Sequence, residues 1–213
     1  MFKFTEGEIR DLIIVFIVLS ICFSISSVGM NVHGFVSILP IVMIGVGAGF
    51  ILREFGQKFV AMKYGLQAEF KLWPLGLMIA FVTSFFGVVF AFPGEVKTNS
   101  DNISDEMNGK IGIAGPMANM TLSLIFIGIA ALVSPFTVHS QFFNLIFLTC
   151  TVGFSVNSFL ATFNLLPIYT LDGIKVLKWN VRIWIVVFAI AAVMMLASII
   201  IGAENMVMFF VAN

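Results

Sequence analysis

The sequence predicts an α-helical integral membrane protein. We expect one membrane domain over residues 1–213, with about five transmembrane helices and a re-entrant or hairpin segment that carries short strands (68–97). The first observation is composition, since 60% of the residues are hydrophobic and 10% are charged, with a mean hydropathy of +1.10. Soluble domains carry about 25% charged residues. The other two observations are the apolar runs and the placement of positive charge between them.

Six apolar runs are each long enough to cross roughly 30 Å of hydrocarbon. They occupy residues 12–30, 35–52, 75–92, 111–133, 142–163 and 183–201. The charged N-terminus and the long first run do not fit a cleaved signal peptide, so we expect a permanent first span. Gly45, Gly47 and Gly49 in the second run would allow another helix to approach closely, although glycine is also common in membrane helices.

Two stretches of mixed polarity flank the third run. Residues 67–74 alternate polar and apolar side chains and end at Pro74, which predicts a short strand. Pro93 and Gly94 predict a turn. Residues 95–110 form the only polar stretch of any length, and we predict a surface loop there.

The positive charges favour a re-entrant path for residues 75–92, because cytoplasmic loops carry the excess of Lys and Arg. If this run enters and leaves on one side, all eleven Lys and Arg lie on the cytoplasmic side or at that end of a helix, and the links 31–34 and 134–141 hold none. A spanning run would instead divide the basic residues between the two sides. We therefore predict a multi-pass cell-membrane protein with a cytoplasmic N-terminus and an outside C-terminus. A helical hairpin at 75–92 stays open.

The charged end of the second run has the spacing of a catalytic helix. Arg53 and Gln57 lie four residues apart on one helix face, with Glu54 beside them. A zinc metalloprotease places His, Glu and His at these three positions, where the imidazoles bind zinc and the Glu takes a proton from the metal-bound water. Here the Glu is present and both histidines are absent. A guanidinium has no acceptor and an amide is a poor zinc ligand.

Asp172 is a second unusual group, since it sits between long apolar runs after the break at Pro167. An ionisable residue near membrane depth is a functional candidate. It could equally cap the helix that follows it.

The cysteines and histidines offer little further chemistry. Cys22 and Cys150 lie inside apolar runs and are expected to be buried small hydrophobes. His33 and His139 fall in the two predicted outside links, so we expect neither to reach the Arg53 region.

Three motifs together give the chain a family resemblance. They are Arg53-Glu54-x-x-Gln57, Gly115-Pro116-x-Ala118-Asn119 and Asn164-x-x-Pro167-x-x-x-Leu171-Asp172-Gly173. In order and in placement on apolar segments, they resemble the site-2 protease family of intramembrane zinc metalloproteases. The resemblance covers residues 35–180, which would be the catalytic core, and the family also tends to have strands and a membrane-embedded loop where residues 69–97 lie.

The resemblance implies a role for each matching residue. Glu54 stands at the general-base position and Asp172 at the third zinc-ligand position. Asn119 and Asn164 stand where polar residues assist substrate or the oxyanion. Arg53 and Gln57 occupy the positions of the two lost histidine ligands, so we expect zinc, the family's metal, not to be bound here.

The sequence therefore predicts a catalytically inactive homologue, a pseudoprotease that retains a groove for transmembrane segments. Its partners would be a membrane protein with a transmembrane segment, as substrate or client, and the lipid bilayer, with no nucleic acid. An active metalloendopeptidase, with its histidines replaced by engineering or with an unusual metal site, is one alternative, and a small transporter or channel is another. Within the first reading, Arg53 either supplies the positive charge of the missing zinc ion to the carboxylates of Glu54 or Asp172, or extends to the headgroups.

Overall fold

The protein is α-helical, with one small sheet, in a computed structural model that describes residues 4–98, 103–168 and 171–211. Its elements, in chain order, are α1 (Glu6–Val28), α2 (Val32–Lys63), β1 (Ala68–Leu72), α3 (Pro74–Ser84), β2 (Gly94–Thr98), α4 (Asp105–Val133), a 3-10 turn (Ser134–Phe136), α5 (Gln141–Asn164), α6 (Asp172–Trp179), α7 (Val181–Ile200) and α8 (Ala203–Val211). Within the described ranges, five helices are long and apolar enough to cross a membrane, namely α1, α2, α4, α5 and α7. The predicted fold class is confirmed.

The third apolar run does not form a span. Helix α3 has 11 residues, about 16 Å at 1.5 Å per residue, which is about half of a bilayer core. The chain then returns in extended form, and β2 pairs antiparallel with β1, with Phe70 opposite Val96. The two ends of the segment therefore lie side by side in the sheet, which confirms the re-entrant interpretation.

Two details of the polar region differ from the predictions. Gly94 begins a strand rather than completing a turn. The carbonyl of Pro93 accepts a hydrogen bond from the Trp73 amide at 2.8 Å, which is possible because proline lacks the N–H donor but keeps its carbonyl acceptor. The prediction of a loop over residues 95–110 was wrong for most of this range, since residues 95–98 belong to β2 and residues 105–110 belong to α4. The Ser104 side chain caps α4 by accepting from the Met107 amide, a start signal that the polarity of the stretch concealed.

The chain after the last predicted run contains one further helix. Gly202 takes a positive φ of 83° and separates α7 from α8. Ala203 and Val207 of α8 are buried against α4 and α5 in a cluster that includes Phe126 and Phe147. The helix therefore folds back onto the bundle.

Glycines allow α2 and α5 to pack closely, as the second run suggested. A Cβ built on Gly45 would lie 3.0 Å from the Gly153 Cα, and one built on Gly49 would lie 1.9 Å from Oδ1 of Asn157. The Asn157 amide donates to the Gly45 carbonyl at 3.1 Å and to the Gly153 carbonyl at 2.8 Å. Asn157 thus bonds the two helices where they are closest.

We expect Gly49→Ala to destabilise the fold, because the new methyl group must displace the Asn157 side chain from the α2–α5 contact. Overpacking of this kind costs about 1–3 kcal/mol. The measurement is the unfolding free energy in detergent. Gly128→Ala is the matched control, since a Cβ at Gly128 meets nothing within 4 Å, and equal losses for both variants would contradict the contact.

Candidate functional site

The residues singled out on α2 meet those at the far end of the chain in one buried cluster. Arg53, Glu54 and Gln57 are all buried on α2. Asn164 is the last residue of α5, and Asp172 is the first residue of α6. Both of these are buried as well. The break between α5 and α6 places the amide and the carboxylate beside the same face of α2.

Arg53 is the centre of this cluster. Its Nη2 donates to Asp172 Oδ2 at 2.7 Å and to Asn164 Oδ1 at 3.0 Å. Its Nη1 donates to Glu54 Oε1. Gln57 Nε2 also donates to Asp172 Oδ2, at 2.7 Å. The alternative in which Arg53 extends to the headgroups is wrong, because the guanidinium is turned inward and bound to two carboxylates.

Two glycines allow the helices around the cluster to pack closely. A Cβ on Gly115 of α4 would lie 2.8 Å from Gln57 Nε2 and 2.9 Å from Arg53 Cγ. A Cβ on Gly173 of α6 would lie 2.1 Å from the carbonyl oxygen of Leu165. Helix α4 therefore packs against the Arg53 face, and the start of α6 packs against the end of α5, only because these two positions lack side chains.

Lys175 completes the charge balance, and the sequence analysis did not single it out. Its Nζ lies 3.2 Å from Asp172 Oδ1 and 3.9 Å from Glu95 Oε2 of β2. The signal was the spacing of three between Asp172 and Lys175, which places opposite charges on one helix face. Burial raises the pKa of the Asp172 carboxyl, but the charges of Lys175 and Arg53 outweigh it and hold that pKa below its usual value.

Asn119 lies apart from this hydrogen-bonded network. It is fully buried on α4, four residues after Gly115 and therefore on the same helix face. Within the described part of the chain, neither atom of its amide has a hydrogen-bond partner, and Glu54 Oε2 has none either. The structure thus brings together five of the six predicted site residues, and it places the sixth on the neighbouring helix without a bond to them.

A cavity of about 330 Å³ opens beside the cluster. Arg53, Asn164 and Asp172 contribute its buried polar lining. The remaining lining comes from the sheet, the returning segment and the residue before α6, namely Lys71, Leu72, Trp73, Ala91, Phe92, Pro93, Gly94, Glu95, Lys97 and Leu171. The cavity therefore has one buried polar side and one side that combines apolar residues with the charged residues Lys71, Glu95 and Lys97, and its size admits a few side chains.

Comparison with known proteins gives this cluster a family. The chain is 39% identical over 188 residues to a protein of Methanocaldococcus jannaschii whose name places it among the zinc metalloproteases, and the match covers 88% of this chain and 92% of the relative. The chain belongs to this zinc metalloprotease family. A second zinc metalloprotease of the same organism is 28% identical over 176 residues, which is 80% of this chain and 41% of that protein. No family model matches the sequence, and no solved structure matches it significantly.

A zinc ion, which the zinc metalloprotease family implies, does not fit the residues present. Zinc in proteins is held by Cys, His and carboxylate ligands, whereas Arg53 offers only donors and Gln57 an amide. The two carboxylates are already bound to the guanidinium. Both histidines are exposed and far from this cluster in the chain, His33 in the first turn of α2 and His139 after the 3-10 turn. Over the described ranges, no three His, Cys, Asp or Glu side chains converge on a point that could hold a metal.

Proposed function

We propose that this chain is a site-2 protease-like pseudoprotease, which binds transmembrane segments of other membrane proteins without hydrolysing them. The observation that carries the proposal is the Arg53 guanidinium bound to Glu54 and Asp172. These are the carboxylates that the resemblance assigns to the general base and the third zinc ligand. In this proposal, Arg53 substitutes structurally for the zinc ion.

The chemistry of arginine explains why such a site would not hydrolyse a peptide. A divalent zinc ion neutralises its carboxylate ligands and also lowers the pKa of a bound water to about 7. A guanidinium neutralises carboxylates through paired hydrogen bonds but binds no water as a Lewis acid. Glu54 keeps one oxygen, Oε2, without a partner in the described part of the chain, but without a metal-bound water there is no activated nucleophile from which it could take a proton. The site retains its charge balance and loses its nucleophile.

The sheet supports the binding part of the proposal. The Trp73–Pro93 bond and the strand register place the amides of Glu69 and Lys71 toward β2. By the same alternation, the amides of Gly94 and Val96 in β2 point away from β1. No group of another described element accepts a hydrogen bond from them. An extended segment, unwound from a transmembrane helix, could add to that free edge beside the cavity. We propose that the cytoplasm faces this end of the bundle.

A photo-crosslinking amino acid at a cavity position tests the proposal. Trp73 lines the cavity and is 38% exposed, whereas Ile199 on α7 is 68% exposed and lies far from it along the chain. We expect the label at Trp73, in native membranes, to capture transmembrane segments that mass spectrometry finds uncleaved. The label at Ile199 is the matched control and should capture no such segment. Equal capture at both positions would contradict the proposed binding groove, and capture of cleaved segments would contradict the pseudoprotease assignment.

A further inference from the structure

A second buried charge pair, Glu8 of α1 with Lys58 of α2, lies outside the site already described. Glu8 is 1% exposed, and its two carboxylate oxygens contact two different elements. Oε2 accepts from Lys58 Nζ of α2, and Oε1 accepts from the amide of Phe70 in β1 at 3.1 Å. A single side chain thus joins α1, α2 and the sheet. Lys58 directly follows Gln57, so this junction is attached to the helix that carries the candidate site.

Asp11, three residues after Glu8, repeats the contact one step along the strand. Its Oδ2 accepts from the amide of Leu72 at 3.3 Å. The two carboxylates lie on one face of α1, and Phe70 and Leu72 are alternate residues of β1, so their amides point to the same edge. Helix α1 therefore occupies the outer edge of β1 in the way that a third strand would.

On the other side of the sheet, the described ion pair is weaker. The described ion pair between β2 and α6 is Glu95 with Lys175, at 3.9 Å, and the Glu95 side chain is 45% exposed. Exposed pairs of this kind contribute little to stability. By contrast, removing one partner of a buried pair such as Glu8–Lys58 leaves an uncompensated charge in the interior. The β1 edge therefore carries the buried polar anchors of the sheet.

We propose that Glu8 and Asp11 are positioning residues for the cavity, which hold β1 at a fixed distance from Arg53 and Asp172. Leu72 is both an anchored residue and a cavity-lining residue, so movement of β1 changes the width of the cavity directly. The effect on client binding rests on the proposed function, but the effect on geometry does not. Neither residue touches a bound segment in this proposal, and both act through the backbone of β1.

Spin labels across the cavity measure this effect. Cysteines introduced at the exposed positions Lys97 of β2 and Lys178 of α6, with Cys22 and Cys150 replaced by Ala, give one inter-label distance by pulsed electron resonance. The parent should show a narrow distribution. Asp11→Ala should broaden it and shift it to longer distances, whereas Asp11→Asn keeps an acceptor for the Leu72 amide and should restore the parent distribution. An unchanged distribution for Asp11→Ala would overturn the proposal.

The Glu8 variants separate positioning from general stability. Glu8→Gln combined with Lys58→Gln removes both charges and retains an acceptor for the Phe70 amide, so its distance distribution should match the parent even if its unfolding temperature falls. Glu8→Ala with Lys58→Gln should give a broad distance distribution. A broad distribution for both double variants would overturn the role of the backbone contact.

Client binding is the second readout of the positioning proposal. Asp11→Ala should bind a transmembrane peptide roughly tenfold more weakly than Asp11→Asn, since a loosened site must be ordered on binding. The peptide is the one captured at Trp73. If the parent captures no segment at Trp73 while the distance result is intact, the proposed function alone is overturned.

Discussion

Replacing Arg53 and Gln57 together by His is expected to convert a chain with little bound zinc into one that carries about one zinc ion. The two positions lie one turn apart on α2, and both side chains already reach Asp172 Oδ2 at 2.7 Å. Two imidazoles and one carboxylate give the three protein ligands of a catalytic zinc site, with water as the fourth. Elemental analysis of detergent-purified protein measures the change.

The controls for this gain of metal use the same cluster. Adding Asp172→Asn to the double variant should lower the zinc content again, because the third ligand is lost. Adding Glu54→Gln should leave zinc bound but abolish any cleavage of a transmembrane peptide that the double variant acquires, since the amide cannot take a proton. Stoichiometric zinc in the parent protein would refute the role of Arg53 as a structural substitute for the metal.

The sequence located most of this site because its residues belong to short motifs on apolar segments. Arg53, Glu54 and Gln57 lie within about one helical turn, and Asp172 follows the break at Pro167 between α5 and α6. The re-entrant path was also predictable, since the distribution of Lys and Arg favoured a return of residues 75–92 to the same side of the membrane. What the sequence could state only as a possibility was that Arg53 faces Asp172, 119 positions away.

The contacts of Glu8 and Asp11 with β1 were not predicted, because they join residues far apart in the chain and one partner in each is a backbone group. Glu8 and Phe70 are 62 residues apart, and Asp11 and Leu72 are 61 apart. A backbone amide carries no sequence signal, so an acidic residue near the N-terminus reads simply as a charged flank of the first span. Lys175 differs, because its spacing from Asp172 was visible and only its contact with Glu95 depends on the fold.

Removing the guanidinium alone is expected to cause the largest loss of stability in the molecule. Arg53→Met leaves Glu54 buried without its counter-ion and takes two hydrogen bonds from Asn164 and Asp172. Breaking one side of a buried ion pair costs about 3–5 kcal/mol. The unfolding free energy in detergent measures it. Lys110→Met is the matched control, because the side chains of Lys110 and its partner Glu106 are both exposed, at 39% and 63%, and an exposed ion pair contributes little to stability.

A triple variant then separates charge balance from packing. Arg53→Met with Glu54→Gln and Asp172→Asn removes the cation and both of its carboxylate partners, and replacing a whole buried ion cluster by neutral groups is often close to neutral in free energy. We therefore expect most of the stability lost in Arg53→Met to return. If the triple variant is as unstable as the single one, Arg53 acts through its shape and hydrogen bonds. If stability returns, the cluster requires a positive charge only while its carboxylates are present, which is the requirement that a zinc ion meets in an active metalloprotease.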